Sequence, residues 1–164
     1  MTQEEKLAKL REIIKDVDIC MLTTIDEQGE LHSRPMSNNR EVEFNGDLWF
    51  FTYYSTPKVA EVERLSKINA SFADVKGQRY ASVSGSAEIV RDGAKIAELW
   101  QPHLKAWFPE GKETPGITLL KVVAERAEYW DGSQSLVAHS ISLLSSLVKG
   151  ESAQMGENEK LDLK

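Results

Sequence analysis

Two cations within residues 31–58 have the sequence context of an anion-binding site. Arg34 lies in a predicted strand, and Lys58 follows Thr56 and Pro57 at the predicted start of a helix. A helix start directs free backbone N–H groups and the positive end of its dipole outward, so it favours a phosphate or a carboxylate. The same dipole disfavours a lysine in the first turn, and Lys58 therefore suggests that an anion compensates it. Two strands and a helix start could bring both cations onto one anion.

The alternative is that both cations are ordinary surface charges. Lys58 would then be a solvated lysine, and Arg34 would be a salt-bridge partner near a strand end, which is a usual role of charged side chains. The residue pattern alone leaves both interpretations open.

The size and charge of the chain narrow the class of protein. Its 164 residues fit one domain with a sizeable core. A formal net charge of -6 and a pI near 5.2 argue against a broad nucleic-acid surface. No basic and apolar leader precedes the first predicted helix, and no apolar run approaches membrane-spanning length. We therefore expect a cytoplasmic protein with neither a nucleic-acid partner nor a membrane partner.

Standard catalytic and metal-binding motifs are missing from the sequence. It contains no G-x-G-x-x-G, no P-loop and no G-x-S-x-G, so glycine-rich nucleotide binding and a hydrolase nucleophile are unsupported. His32, His103 and His139 are far apart and lack carboxylates at ligand spacing, so we predict no metal site. Cys20, the only cysteine, lies in an apolar run, which favours a buried hydrophobe over a nucleophile.

Hydrophobic periodicity, caps and turn residues predict short strands with helices between them. Thr2 and Glu5 form a capping box, and Asn45-Gly46 is the strongest hairpin signal, so the first four strands would form a meander. In chain order we predict a helix at 2–16, strands at 18–25, 30–37, 41–44 and 47–53, a helix at 56–67, strands at 68–72 and 80–90, a helix at 92–100, a strand at 117–130, and a final helix with the apolar stripe Val137, Ile141, Leu144 and Val148.

This order of elements predicts a mainly β fold. Many short antiparallel strands without a regular β-α-β alternation indicate a small β-barrel with helices at its ends, because closure removes exposed strand edges. We predict a single domain at residues 1–149 and a polar tail at 150–164, either mobile or ordered on a partner. Trp107 and Phe108 could stack on a planar ring or plug one barrel end, and the pattern favours the plug.

Several short segments, in order over nearly the whole chain, carry a family resemblance. They are residues 32–36 (HSRPM), 47–52 (DLWFFT), 56–59 (TPKV), 83–85 (VSG), 105–109 (KAWFP) and 127–130 (AEYW). These segments resemble the general stress protein 26 family, within the pyridoxamine 5'-phosphate oxidase-like, FMN-binding split-barrel superfamily.

The resemblance implies an FMN-binding split β-barrel and a homodimer with FMN at its interface. It implies that Arg34 and Lys58 hold the flavin phosphate, with the hydroxyls of Ser55 and Thr56 as further ligands. The other site residues that it implies are Pro35, Met36 and Ser37 along the ring edge, Phe51 and Thr52 beside the flavin, Tyr80 where the oxidases carry a glutamine, and Trp107 from the other subunit.

One departure from the oxidases concerns the reaction and not the cofactor. The sequence contains no Arg-x-His, which in those enzymes holds the substrate, so the resemblance implies flavin binding better than it implies pyridoxamine 5'-phosphate oxidation. Three hypotheses follow. The first is an FMN-dependent oxidoreductase acting on an unidentified small substrate, the second a flavin-binding, storage or sensing protein without turnover, and the third a structural dimer without cofactor.

Overall fold

The computed structural model describes residues 1–133 and 156–164. An antiparallel seven-stranded sheet forms most of the molecule, and helices lie against it. The elements in chain order are α1 (Gln3–Ile14), β1 (Ile19–Ile25), β2 (Leu31–Ser37), β3 (Asp47–Tyr53), α2 (Pro57–Arg64), β4 (Lys67–Asp74), β5 (Arg79–Val90), α3 (Gly93–Leu99), two 3-10 turns (Pro102–Ala106 and Gly111–Glu113), β6 (Ile117–Asp131) and β7 (Glu157–Asp162).

Local capping explains where the helices begin. The Thr2 hydroxyl accepts from the Glu5 N–H at 3.2 Å and the Glu5 carboxylate accepts from the Thr2 N–H at 2.6 Å, so the predicted capping box starts α1. Asp92 caps α3 by accepting from the Ala94 N–H at 2.9 Å. Helix α2 begins as predicted but ends at Arg64 instead of residue 67, because Leu65 is already extended.

The strand order makes the sheet a split barrel. Its order is β2-β1-β4-β5-β6-β3, and β7 pairs with β6 beyond the end of β3. Strands β2 and β3 are the two ends of this order, yet they contact each other and border the same cavity. The curled sheet therefore has a gap between β2 and β3, where backbone groups of both edge strands have no strand partner in the described part of the chain. The prediction of a mainly β, antiparallel fold with peripheral helices is confirmed.

The predicted hairpin at Asn45-Gly46 is wrong, and so is the four-strand meander. Residues 38–46 are irregular, and β3 pairs with β6 instead of with residues 41–44. The reason lies in two asparagines. The Asn38 amide donates to Ile14 O at the end of α1, and the Asn39 amide donates to Leu99 O at the end of α3. These bonds tie the loop to helix ends, so it cannot extend along β3.

Two apolar clusters hold the sheet and the helices together. One fills the barrel and includes α1, with Leu10, Phe50 and Tyr129 among its fully buried side chains. The other joins the outer face of β3 and β6 to α3 and the following 3-10 turn, and consists of Phe51, Ile96, Leu99, Leu104, Phe108 and Leu119. This second cluster builds one wall of the gap between β2 and β3.

The chain end is part of the sheet. Strand β7 pairs with β6 and buries Leu161, and α1 side chains bond its backbone, with Lys6 donating to Asp162 O at 3.0 Å. Residues 157–162 therefore form a strand where a tail was expected. The predicted final helix and residues 150–155 lie outside the described residues, and the domain bounds stay a prediction. Within the described ranges, no helix is long and apolar enough to cross a membrane.

Candidate functional site

A cavity of about 220 Å³ lies in the gap between the edge strands β2 and β3. Three predicted site residues of β2 line it, namely Pro35, Met36 and Ser37. The predicted pair on β3, Phe51 and Thr52, faces them. Thr56 and Lys58 close one end, and Leu104, Trp107 and Phe108 come from the 3-10 turn and the residues after it. The structure thus brings most of the predicted site residues to one place.

The end of the cavity at α2 is polar. Lys58 Nζ donates to Thr52 Oγ1 at 3.0 Å, and Thr52 Oγ1 lies 3.4 Å from Thr56 Oγ1. Thr56 is the N-cap of α2, but its hydroxyl donates to Tyr53 O and accepts from no N–H of the first turn. The start of α2 therefore presents backbone N–H groups that the N-cap side chain does not satisfy.

Lys58 is a partly buried cation without a carboxylate partner among residues 1–133 and 156–164. Burial lowers the pKa of its ammonium, the positive charge of Arg34 lowers it further, and Glu61 acts in the opposite direction. Burial and the charge of Arg34 both disfavour the charged form of Lys58. An anion placed between the two cations would favour that charged form and so oppose both effects. The geometry and the pKa direction together are those that an anion at the start of α2 would compensate.

Arg34 lies near this end, but it does not line the cavity. Its Nη2 donates to Glu61 Oε2 at 2.7 Å, and its Nη1 donates to Thr24 Oγ1 at 2.6 Å. His32 Nδ1 lies 3.1 Å from the same Nη2. Burial raises the pKa of Glu61, but hydrogen bonds and charge from Thr24, Arg34 and His32 outweigh it and keep the pKa lowered. The guanidinium is therefore engaged in an ion pair with α2.

Sequence reasoning missed Glu61 and Thr24. Glu61 lies beside the apolar stripe of α2 and looks like one more surface carboxylate in the sequence. It is only 7% exposed because β1 and β2 cover it. Thr24 had a usable signal, since it continues the inward-facing alternation of Cys20 and Leu22 along β1.

Aromatic side chains form one wall of the remaining cavity. The ring centroids of Tyr53 and Phe108 lie 4.8 Å apart, and those of Phe51 and Phe108 lie 6.2 Å apart. Phe108 is buried, which confirms that it plugs this end, whereas Trp107 is 50% exposed, so the plug prediction is wrong for Trp107. Although the resemblance implied Trp107 from the other subunit, here it lines the cavity of its own chain, and its carbonyl accepts from Tyr53 Oη at 3.0 Å.

Two predicted site residues lie elsewhere in this chain. Ser55 is exposed and does not line the cavity. Tyr80 is on the outer face of β5, paired with Trp130 of β6, and also does not reach the cavity. A single chain therefore gives neither side chain access to a ligand held there.

Cys20 and the metal-ligating side chains form no competing site within the described residues. Cys20 is 1% exposed, and burial raises the pKa of its thiol to about 12, so the prediction of a buried hydrophobe is confirmed. No cluster of three metal-ligating side chains occurs within the ranges that the structure describes, and His139 lies outside them. A second cleft of about 250 Å³ lies beside residues 38–44, where Arg11 and Arg40 already pair with carboxylates.

Comparison with known proteins assigns the chain to a family. The family model described as pyridoxamine 5'-phosphate oxidase like matches residues 5–154. The chain belongs to the pyridoxamine 5'-phosphate oxidase-like family. Protein bli-3 of Neurospora crassa is 28% identical over 163 residues, which cover 94% of this chain and 78% of that protein.

Solved structures agree with this assignment. The general stress FMN/FAD binding protein of Xanthomonas citri is 31% identical, with a TM-score of 0.69 over 82% of this chain and 94% of that one. A protein from Clostridium acetobutylicum related to general stress protein 26 is 20% identical, with a TM-score of 0.73 over 99% of this chain and 97% of that one. The second likeness shows the shared fold alone.

Proposed function

We propose that this family member binds FMN between β2 and β3 and acts as an FMN-dependent oxidoreductase on a small substrate. The observation that carries the proposal is the Lys58 ammonium, which lies partly buried at the start of α2 with only the Thr52 hydroxyl as its bonded partner in the described chain. A phosphate monoester would supply the missing negative charge. It would accept from Lys58 and from N–H groups of the first turn of α2, and from the Thr56 hydroxyl if that hydroxyl turns away from Tyr53 O.

The chemistry of the lining supports a planar ring joined to that phosphate. Phe51, Phe108 and the half-exposed Trp107 provide apolar faces, and residues 35–37 provide free edge-strand backbone groups. Such groups can hydrogen-bond the polar edge of a flavin. The relative from Xanthomonas citri, whose name states FMN/FAD binding, supports the same ligand class. When bound, the flavin would supply the electron transfer, and the chain would supply binding and orientation.

The proposal includes a homodimer that completes the site. The cavity of about 220 Å³ is smaller than the roughly 300–1,000 Å³ usual for sites of larger small molecules. The outer sheet face also exposes apolar side chains, with Ile19 at 45%, Met21 at 42% and Tyr80 and Trp130 each at 38%. A two-fold interface on this face would cover them and could bring Tyr80 to the partner's cavity. Light scattering tests this, and a monomer that holds FMN tightly would contradict it.

The lining also bears on catalysis. Its ionisable side chains, within the described residues, are Tyr53 and Lys58, and Lys58 is assigned to the phosphate. Without a carboxylate or histidine at the cavity, the reaction would rely on electron transfer by the flavin rather than on an acid–base pair. The same observation favours the alternative of a non-catalytic flavin-binding, storage or sensing protein. Mixing with excess NADH or NADPH separates the two. Anaerobic bleaching of the flavin absorbance would show reduction of the flavin, and continued consumption of the nicotinamide in air, with oxygen as the electron acceptor, would show turnover.

The direct test of the cofactor site is the double variant Arg34→Ala/Lys58→Ala. It should purify without flavin colour while keeping the wild-type circular dichroism spectrum, because the phosphate loses both cations. The matched control is Lys76→Ala, which removes an exposed lysine in a turn, and this protein should stay yellow. A double variant as yellow as wild type would refute the assignment. The expected cytoplasmic location stays a prediction that cell fractionation can test.

A further inference from the structure

The guanidinium of Arg34 has its terminal N–H groups engaged by the protein itself. Nη1 donates to Thr24 Oγ1 at 2.6 Å and reaches Leu22 O at 3.5 Å. Nη2 donates to Glu61 Oε2 at 2.7 Å and meets His32 Nδ1 at 3.1 Å. A guanidinium has five N–H donors, so within the described chain only the Nε–H has no acceptor. A phosphate that uses the Arg34 fork must take the place of one of these partners.

We propose that Glu61 is an internal competitor of the cofactor phosphate for Arg34, and that it sets how tightly the site holds a phosphorylated flavin. The inference rests on the FMN site proposed above. Among the Arg34 partners in the described residues, Glu61 is the only anion, so it is the partner that competes with an incoming anion for the guanidinium charge.

The carboxylate of Glu61 is fixed in place. Its side chain is 9% exposed, and Thr24, itself fully buried, donates to Oε2 at 2.5 Å. Strands β1 and β2 and helix α2 thus meet at one carboxylate. Because the bonds from Thr24 and Arg34 hold this carboxylate, it would remain close to a phosphate that Arg34 also binds and would repel it.

Glu61 acts on both cations of the site. It lies three residues after Lys58 on α2, so the two side chains are neighbours on the helix. Burial and then Arg34 lower the pKa of Lys58, and the nearby negative charge of Glu61 acts in the opposite direction. Neutralising Glu61 would therefore make the potential at the phosphate position more positive from both sides.

The isosteric change Glu61→Gln separates competition from a merely structural role. We expect FMN affinity to rise about tenfold, a modest fraction of what one charge at this range can contribute, with riboflavin affinity unchanged because riboflavin has no phosphate. We also expect a lower melting temperature without flavin, since Arg34 loses its buried counter-ion. A structural residue would lower stability and FMN affinity together.

The experiment is a fluorescence titration of FMN and riboflavin into the flavin-stripped protein. The matched control is Glu63→Gln, the same change at an exposed position of α2, which should leave both affinities at wild-type values. In the Arg34→Ala background, Glu61→Gln should lose most of its gain. Unchanged or weaker FMN binding by the folded Glu61→Gln variant would overturn the proposal.

Two further measurements keep the outcome decisive. If Glu61→Gln does not fold, Glu61→Met gives a neutral side chain of similar length and should also tighten FMN binding. In the wild-type protein, carboxyl-carbon NMR of Glu61 should change on adding FMN and not on adding riboflavin, and equal spectra would overturn the idea. If the Arg34→Ala protein binds FMN as tightly as wild type, the assignment of Arg34 to the phosphate is wrong. If Arg34→Ala abolishes FMN binding but Glu61→Gln does not raise FMN affinity, only the competition by Glu61 is wrong.

Discussion

Replacing Lys58 by Met should weaken FMN binding and leave the flavin-free protein at least as stable as wild type. The Lys58 ammonium is partly buried, its pKa is lowered first by burial and then by Arg34, and its bonded partner is the Thr52 hydroxyl. Methionine keeps the apolar stem and removes the desolvated charge, so the fold loses little. The phosphate, in contrast, loses a charge-assisted donor.

The size of the effect follows from one interaction. A hydrogen bond to a charged group contributes about 1.5–3 kcal/mol, and about 2 kcal/mol corresponds to a roughly 30-fold higher Kd for FMN. At a free FMN concentration of about 100 times the wild-type Kd, binding adds about 2.7 kcal/mol to wild-type stability. The same concentration would add only about 0.9 kcal/mol to the Lys58→Met protein. Without flavin, we expect the variant to gain between about 0 and 1 kcal/mol.

Thermal unfolding with and without FMN measures both effects on one sample. The flavin-induced rise in melting temperature should shrink by about 4–7 °C in Lys58→Met, given the usual slope for chains of this length. Lys76→Met, at the exposed turn between β4 and β5, is the control and should behave like wild type. An unchanged FMN response, or a flavin-free protein destabilised by more than about 1 kcal/mol, would refute the reasoning.

Three further predictions concern other parts of the molecule. Trp107→Ala should raise the Kd for FMN about fivefold and brighten bound-flavin emission, since an aromatic pair contributes about 1 kcal/mol; unchanged emission in a flavin titration would argue against contact. Thr2→Ala should cost about 1 kcal/mol of unfolding free energy in urea without changing FMN affinity. Burial raises the pKa of Asp131, but bonds from Ser133 and Lys9 outweigh it and hold that pKa at about 2. The ionised Asp131 carboxylate therefore stabilises the fold at pH values above its unfolded pKa, and this contribution is lost as the pH falls towards 2. Lys9→Met should lower the free energy of unfolding by roughly 1–3 kcal/mol at pH 7 and by less at pH 2.5. An equal loss at the two pH values would argue against the Lys9–Asp131 pair.

Signals confined to one element predicted that element well. The Thr2 capping box, Pro57 at the first position of α2 and the Asp92 cap all lie at the observed helix starts. The alternation along β5 also matches its burial, because one face packs in the barrel. The bulge at Gly85 was not predicted, since it depends on β6, whose Val123 carbonyl would lie 2.0 Å from any added Cβ.

Sequence patterns whose structure depends on residues far away in the chain gave wrong predictions. Asn45-Gly46 has the composition of a hairpin turn, yet the strand before it never forms, because Asn38 and Asn39 bond to helix ends far away in sequence. Strand β7 has a single buried apolar residue, Leu161, and is held by β6 and by α1 side chains that no local pattern reveals. In both places the tertiary contacts outweigh the local preference.

The absence of the predicted hairpin at residues 41–53 also explains the open cavity of the candidate site. If residues 41–44 had paired with β3, that edge would be filled, whereas the observed loop leaves the β2 and β3 edges facing one cavity. The chain then places two cations at the polar end and a buried carboxylate beside them. Neutralising Lys58 should stabilise the fold and weaken FMN binding, and neutralising Glu61 should do the reverse. Opposite responses from two residues three positions apart on α2 would show that the charges of this site favour anion binding at a cost to the stability of the fold.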